Sequence, residues 1–184
     1  MITIEQCMEL LTTRHSVRHY TDKQISRADL QTIATAGTYA PSAMNRQTWR
    51  FTVTQNKALI AELAAAIGSV LERDNYDLYL PNALIITSNL RDNHNAAEDN
   101  ACALQNMFLA AHALGIGTVW INQLKGICDD PRIRPILDRM QIPSDHVVCG
   151  MCALGYVAGH PRITEKDQTV IHFLEDADDA KQDV

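Results

Sequence analysis

The chain has 184 residues, of which 46% are hydrophobic and 21% are charged, and its formal net charge is -6. This composition is typical of a single folded domain over residues 1–184, and it excludes a disordered chain and the basic footprint of a nucleic-acid-binding protein. The chain has no apolar run near the ~18 residues of a membrane helix, no signal-peptide layout at its start, and five irregularly spaced cysteines. We therefore expect a cytoplasmic protein with reduced thiols and with neither a nucleic-acid nor a membrane partner.

The N-terminal part of the chain carries two signals that start helices. Thr3 and Gln6 match a capping box, which predicts a first helix over about residues 4–12. Ser26, three residues before an aspartate, predicts a second helix. That helix should end by Tyr39, because Pro41 disfavours helical backbone at the residue before it.

Hydrophobic periodicity predicts alternating strands and helices in the rest of the chain. The predicted elements are strands at 49–55, 83–87, 115–122, 147–154 and 169–174, helices at 59–71 and 95–114, and a short helix from Asp130-Pro131. Gly115 is expected to stop the longest helix, and the acidic residues 175–184 are expected to be a loose tail. Taken alone, the alternation favours a parallel α/β sheet, although connections of these lengths also allow antiparallel neighbours.

The segment from Arg14 to Arg18, here called the basic segment, is a candidate anion site. In an extended backbone, alternate side chains share one face, so Arg14, Ser16 and Arg18 would point the same way. Guanidinium forks and a hydroxyl can together bind phosphate oxygens. From this spacing alone, a solvated surface is the commoner alternative.

Two further stretches are suited to a flat ligand. Residues 40–49, here called the amide loop, carry amide side chains that could bind the edge of a heteroaromatic ring, or serve only to form turns. The glycines in 115–122 allow close approach to something flat, but their spacing is not a dinucleotide-binding fingerprint.

Cys149 and Cys152 lie in a predicted strand and would face opposite ways, so we expect buried thiols and no metal site.

Four segments together resemble the FMN-dependent nitroreductase family over nearly the full length of the chain, in order and in separation. One departure is Thr48, where the family usually has proline. The matching segments are R-H-S-V-R at 14–18, A-P-S-A-M-N-R-Q-T-W at 40–49, L-A-A-H-A-L-G-I-G-T-V-W at 109–120 and I-P-S-D-H-V-V-C-G-M-C-A-L-G-Y at 142–156.

The resemblance implies an α+β fold of three layers, with a mostly antiparallel central sheet between helices, in place of the parallel sheet. It also implies a homodimer with FMN at the subunit interface, in which a C-terminal segment of about 160–175 packs on the partner subunit. The residues it assigns to FMN are Arg14, His15 (through its backbone), Ser16 and Arg18 for the phosphate, ribityl chain and ring; Pro41, Ser42, Ala43 and Asn45 from the other subunit; Trp120, Ile121 and Asn122 beside the ring; and Arg162 or Lys166 at the phosphate. The residue at the pyrimidine edge of the ring is not identified, and Asn75 and Asn82 are the candidates.

The activity implied by the resemblance is reduction of a flat acceptor, such as a nitroaromatic or a quinone, with NADH or NADPH as donor. FMN carries the hydride chemistry in such a ping-pong scheme, so no catalytic side chain is required. The loops at 72–82 and 122–130 leave little room for a lid, which predicts an open site. The alternatives are flavin reduction, ene reduction or dehalogenation on the same fold, and a redox-responsive flavin-binding protein with little turnover.

Overall fold

The computed structural model of the chain describes residues 1–160 and 164–174. Its helices are α1 (Ile4–Thr13), α2 (Arg27–Thr38), α3 (Lys57–Val70), α4 (Ala96–Ala113) and α5 (Arg134–Arg139), and its strands are β1 (Trp49–Thr54), β2 (Ala83–Leu90), β3 (Ile116–Ile121) and β4 (His146–Tyr156). Over those ranges, no helix has both the length and the apolar character that crossing a membrane requires.

The four strands form one sheet in the order β1-β2-β4-β3, and every neighbouring pair is antiparallel. The parallel sheet favoured by alternation alone is therefore wrong, and the antiparallel sheet implied by the family resemblance is confirmed. The alternation of strands and helices shows which element connects two strands, but it does not show at which end of the sheet the chain enters again, and that end sets the strand direction. Residues 71–82 separate α3 from β2, and β2 then runs antiparallel to β1.

The sheet is the middle of three layers, because its two faces contribute to different hydrophobic clusters. Leu84 and Ile86 of β2 belong to a cluster with the apolar sides of α3 and α5. Ala83 and Ile85 of the same strand belong to a cluster with α2 and α4. Successive residues of a strand point to opposite faces, so the unbroken apolar run of β2 is what a strand covered on both sides requires.

The predicted helix signals are confirmed at α1, α2 and α4. Thr3 and Gln6 make the reciprocal capping-box bonds, and the Ser26 side chain accepts the Asp29 N–H at 3.0 Å. Gly115 follows α4 with φ +71°, a left-handed conformation that costs glycine little.

One predicted element begins later than expected, and another is absent from the described residues. The helix expected from Asp130-Pro131 begins at Arg134, because the Asp130 carbonyl accepts the N–H groups of both Ile133 and Arg134 and closes a turn first. Residues 169–174 are not a strand: they form a turn and irregular backbone, and their side chains are exposed. An isolated segment has no neighbouring backbone with which to make a ladder of hydrogen bonds.

All five cysteines are free thiols, and Cys149 and Cys152 are buried as expected. The β2–β4 register shifts between Thr87 and Ser88, so Cys149 is the extra residue of a β-bulge. Cys152 belongs to the cluster beneath α2 and α4. Burial raises the pKa of the Cys149 thiol to about 11, which keeps it protonated and unreactive at neutral pH.

Candidate functional site

The basic segment is fixed against the free edge of β3. The Val17 side chain is buried, its N–H donates to the Thr118 carbonyl at 2.8 Å, and Ser16 forms an isolated parallel bridge with Thr118. A Cβ atom added to Gly117 would lie 2.8 Å from the Val17 side chain, so glycine is what allows this close approach. With Val17 pointing inward, Ser16 and Arg18 are exposed, as the extended alternation predicts.

The basic segment forms one wall of a groove of about 750 Å³, here called the basic groove. This volume is in the range of small-molecule sites. The residues lining it are Thr12, Thr13, Arg14, His15, Ser16, Arg18, His112, Thr164 and Lys166. These described residues include hydroxyls, two guanidinium groups and an ammonium group but no carboxylate, in a chain whose net charge is -6. The local excess of positive charge suits an anion.

Two histidines from distant parts of the chain meet in the basic groove. His112 is on the last turn of α4, and its Nε2 lies 2.8 Å from the Thr13 hydroxyl at the end of α1. The His15 Nδ1 lies 2.8 Å from the Thr13 carbonyl, and the two imidazole rings meet edge to face with centroids 6.2 Å apart. Burial lowers the pKa of His112, and the nearby His15 and Arg14 lower it further.

Arg18 has an aromatic neighbour from the loop that precedes β2. Its guanidinium carbon lies 5.8 Å from the centroid of the Tyr79 ring, within cation–π range. Tyr79 lies in a stretch in which Leu78, Tyr79 and Leu80 all have left-handed φ angles of 55°, 66° and 48°. Three such residues in succession are costly for side chains other than glycine, and such strain is concentrated at functional sites.

Trp120 lies on the same side of α4 as the basic groove. Its ring is 39% exposed and packs on Phe108, with centroids 6.0 Å apart. Phe108 and His112 are four residues apart on the helix, a rise of about 6 Å. The Ile121 side chain is buried in the core under α3 and α5, so only its backbone is available to a ligand. Asn122 is exposed just beyond the strand.

The amide loop is held in shape by a polar network. Ala43–Asn45 form a single 3-10 turn, and Met44, Asn45 and Gln47 have left-handed φ angles. Asp99, near the start of α4 and 4% exposed, accepts the Ala43 N–H at 2.8 Å. Side-chain hydrogen bonds stabilise the loop internally: Gln47 donates its side-chain amide to Asn45 at 2.8 Å.

Thr48, the departure from the family pattern, is part of the same network. Its hydroxyl donates to Asn89 Oδ1 at 2.6 Å and accepts from Asn93 Nδ2 at 3.1 Å. Asn93 also donates to the second carboxylate oxygen of Asp99 at 2.9 Å. Proline has no hydroxyl and could make neither bond. The threonine therefore connects the amide loop to β2 and α4 by a route unavailable to the usual residue.

The structure brings some of the predicted site residues together and separates others. Arg14, His15, Ser16, Arg18 and Lys166 line the basic groove, and the Trp120–Asn122 segment lies close by along α4. Pro41, Ser42, Ala43 and Asn45 lie outside the groove lining, beside the opposite end of α4. Asp99 and His112 are separated by about 20 Å along the helix axis.

The remaining predicted residues cannot all be located. Arg162 lies outside the described residues, as does the tail at 175–184. Asn75 is exposed, whereas Asn82 is almost fully buried beside Gly155 and its Oδ1 has no hydrogen-bond partner in the described structure.

Sequence reasoning missed three residues of this region: His112, Tyr79 and Asp99. The contact between Thr13 and His112 joins residues 99 positions apart, and no local spacing signals it. His112 and Asp99 were within a predicted helix, where each has the appearance of an ordinary helical residue. Only the packing of α4 against the basic segment and the amide loop distinguishes them.

Comparison with known proteins gives consistent matches over most of the chain. The model of the Nitroreductase family matches residues 11–83 and 77–156. A Bacteroides fragilis nitroreductase, solved with bound FMN, is 38% identical, covers 91% of this chain and 98% of its own, and superimposes with a TM-score of 0.84. A Desulfitobacterium hafniense nitroreductase with bound FMN is 23% identical, covers 95% and 100%, and has a TM-score of 0.83, which supports the fold. An Archaeoglobus fulgidus protein provisionally named NADH dehydrogenase/NAD(P)H nitroreductase is 29% identical over 89% of this chain and 92% of its own.

Proposed function

The chain belongs to the nitroreductase family, and on that premise we propose that it is an FMN-dependent oxidoreductase that uses NAD(P)H to reduce nitroaromatic, quinone or similar flat acceptors. The observation that carries the proposal is the basic groove, where guanidinium, ammonium and hydroxyl groups surround a cavity large enough for a cofactor. This donor set fits a phosphate monoester, which binds best to paired, charge-assisted donors. The FMN bound to the 38%-identical relative supports the same cofactor here.

Individual residues have distinct roles in this proposal. Arg14 and Ser16 hold the phosphate of FMN, and Lys166, which lines the same groove, adds a positive charge to it. Arg18, held under the Tyr79 ring, offers a cation to the negative charge that reduction places on the flavin. FMN, when bound, supplies the hydride-accepting nitrogen of its ring. No side-chain nucleophile is required, and the buried, protonated thiol of Cys149 is excluded as one.

The complete site requires a second copy of the chain in this proposal. The amide loop and the basic groove are at opposite ends of α4, so both contact one FMN only if the loop comes from a partner subunit. The apolar stripe of α1 supports an interface, because Ile4, Met8 and Leu11 are 69%, 48% and 45% exposed in the single chain. The exposed apolar residues at 170–174 are then covered by the same partner, as is the segment of about 160–175 that contains them.

The nicotinamide donor and the acceptor are proposed to stack on the flavin one after the other, in the same open pocket. The exposed Trp120 ring and short neighbouring loops favour flat molecules without selecting one. Donor and acceptor that share one pocket react in turn, which gives parallel lines in double-reciprocal plots. Intersecting lines would contradict the ping-pong order.

Purification followed by anaerobic reduction tests the proposal. The purified protein should carry a flavin absorbance spectrum, or acquire one on addition of FMN. NADH or NADPH should bleach the spectrum without oxygen, and a nitroaromatic or a quinone should restore it. A protein that stays colourless after reconstitution with FMN would refute the proposal.

Two other outcomes distinguish the alternatives. Flavin absorbance that neither nicotinamide bleaches favours a redox-responsive flavin-binding protein with little turnover. Bleaching that is reversed by free flavin, an enone or a halogenated compound, but not by a nitroaromatic or a quinone, favours another reaction on the same fold.

A further inference from the structure

The hydrogen bonds around Thr13 assign the tautomers of both histidines in the basic groove. The Thr13 hydroxyl donates its proton to the Glu9 carbonyl at 2.6 Å, so toward His112 it can only accept. His112 therefore carries a proton on Nε2. A backbone carbonyl likewise only accepts, so His15 carries a proton on Nδ1 and donates it to the Thr13 carbonyl at 2.8 Å.

This arrangement leaves one nitrogen of each ring uncommitted. Within the described chain, His112 Nδ1 and His15 Nε2 have no hydrogen-bond partner. Both rings line the same groove. Each uncommitted nitrogen is an acceptor in the neutral ring and a donor in the protonated ring. The dianion of a phosphate group has only acceptor oxygens, so it can use these nitrogens only after a proton is added to the ring.

The charges that face His112 favour the neutral ring while the groove holds no anion. The charged groups are positive, namely Arg14 from the basic segment, with Arg18 and Lys166 further along the groove, and the His15 ring is the other titratable group beside His112. Residues 115–118 of the neighbouring strand, and Val157 beside them, carry no charge. Burial lowers the pKa of His112 below its usual value, and the nearby His15 and Arg14 lower it further. A bound anion reverses the electrostatic part of that effect.

We propose that His112 is a further anion-binding residue of the basic groove and that the His15–His112 pair takes up a proton when a phosphate monoester binds. The inference rests on the proposed function, in which that phosphate belongs to FMN. The added proton makes the uncommitted nitrogens donors to the phosphate, while the Thr13 hydroxyl and carbonyl keep both rings in place. FMN binding is therefore coupled to pH through two side chains, that of His15, to which the family resemblance assigns only a backbone contact, and that of His112, to which it assigns none.

The sign of the coupling follows from linkage. Because the anion raises the pKa of His112 in the bound state, the bound protein holds more protons than the free protein, and affinity falls as pH rises through the bound-state pKa. The second ionisation of the phosphate, near pH ~6, acts in the opposite direction, because cations prefer the dianion. A decrease in FMN affinity with rising pH therefore reports the loss of a proton from the protein and not the ionisation of the phosphate.

Titration of the apoprotein with FMN by fluorescence quenching tests the coupling. One proton changes affinity by at most tenfold per pH unit, so we expect wild-type affinity to fall about fivefold to tenfold between about pH 6.5 and about pH 8.5. His112→Gln retains a donor to the Thr13 hydroxyl but cannot gain a proton, and should reduce the change to less than about twofold. His15→Asn tests the other ring in the same way, and the exposed His94→Gln is the matched control, which should behave as wild type.

Imidazole NMR with inorganic phosphate provides a readout that needs no flavin. Phosphate should raise the pKa of His112 in the wild type and in His94→Gln. Unchanged pH dependence of FMN affinity in both His112→Gln and His15→Asn, with no effect of phosphate on the His112 signals, would overturn the inference while leaving the proposed function intact. Failure of the wild type to bind FMN at any pH would instead refute the proposed function, and the phosphate titration would still decide the role of His112. Thermal melting of each variant identifies any loss of folding.

Discussion

At the scale of single residues, the position of the basic segment depends on one buried apolar residue, Val17, between polar neighbours. Val17 is buried against Gly117 and hydrogen-bonded to β3, so the polar residues on either side of it must face the groove. Burial of a valine is worth about 1.5–3 kcal/mol, which is enough to hold a short extended segment in one register. Val17 thereby positions Arg14 and Arg18 through backbone and apolar contacts.

Arg14→Ala should weaken FMN binding about tenfold to a hundredfold. The variant removes a charge-assisted, paired contact to phosphate, worth about 1.5–3 kcal/mol. Fluorescence titration of the apoprotein measures the change. The exposed Arg27→Ala at the start of α2 is the matched control, since it removes the same charge outside the groove. Equal affinities of Arg14→Ala and Arg27→Ala would remove Arg14 from the site.

At the scale of elements, α4 is the common support of the basic groove and the amide loop, the two parts that the proposed site combines. Its C-terminal turn carries His112 beside the basic segment, its middle carries Phe108 under Trp120, and its first turns carry Asp99 under the amide loop. One helix therefore sets the relative positions of residues from three other parts of the chain. A helix is well suited to this, because its backbone hydrogen bonds are internal and its side chains remain free for contacts.

Asp99→Asn should destabilise the amide loop. The Asp99 carboxylate accepts the Ala43 N–H with one oxygen and the Asn93 amide with the other. Asparagine has one acceptor oxygen, so one buried donor would face an NH2 group, at a cost of about 1–3 kcal/mol. Urea denaturation measures the loss of stability. The exposed Asp92→Asn, with the same change of charge, should have wild-type stability, and equal stability of the two variants would show that the bonds to Asp99 contribute nothing.

At the scale of the whole molecule, the exposed apolar surface is the feature that a single chain does not explain. α1 has the polarity pattern of a helix with one apolar face, yet none of its residues is buried. The apolar side chains at 170–174 are exposed as well. Monomeric proteins seldom leave large apolar patches exposed, and the proposed dimer would cover both surfaces.

Gel filtration with light scattering should find a dimer, at twice the 20.5 kDa chain mass. The double variant Met8→Glu/Leu11→Glu places two charges on the apolar stripe of α1 and should shift the protein toward monomer, because burial of unpaired charge opposes association. It should also release FMN, since each site would lose the partner's amide loop. Gln31→Glu/Thr35→Glu adds the same charge to exposed positions of α2 and should remain dimeric. A wild type that is monomeric and still binds FMN would contradict the shared site.

The sequence by itself determined the local features of this protein. The capping signals at Thr3 and Ser26, the left-handed stop at Gly115 and the strand pattern of 83–87 follow from interactions between residues close in the chain. The alternation of Val17 with polar neighbours is equally local, and so are the motifs that identified the family.

Periodicity left the strand directions open, and the family resemblance and the tertiary structure decided them. Only the tertiary structure decided the start of α5, the exposure of 169–174 and the pairing of His15 with His112. Strand direction depends on where the chain re-enters the sheet after each helix. The two histidines meet only because α1 and α4 pack side by side, which joins residues nearly a hundred positions apart. Such contacts depend on how all the core elements pack together, which no single segment of the sequence predicts.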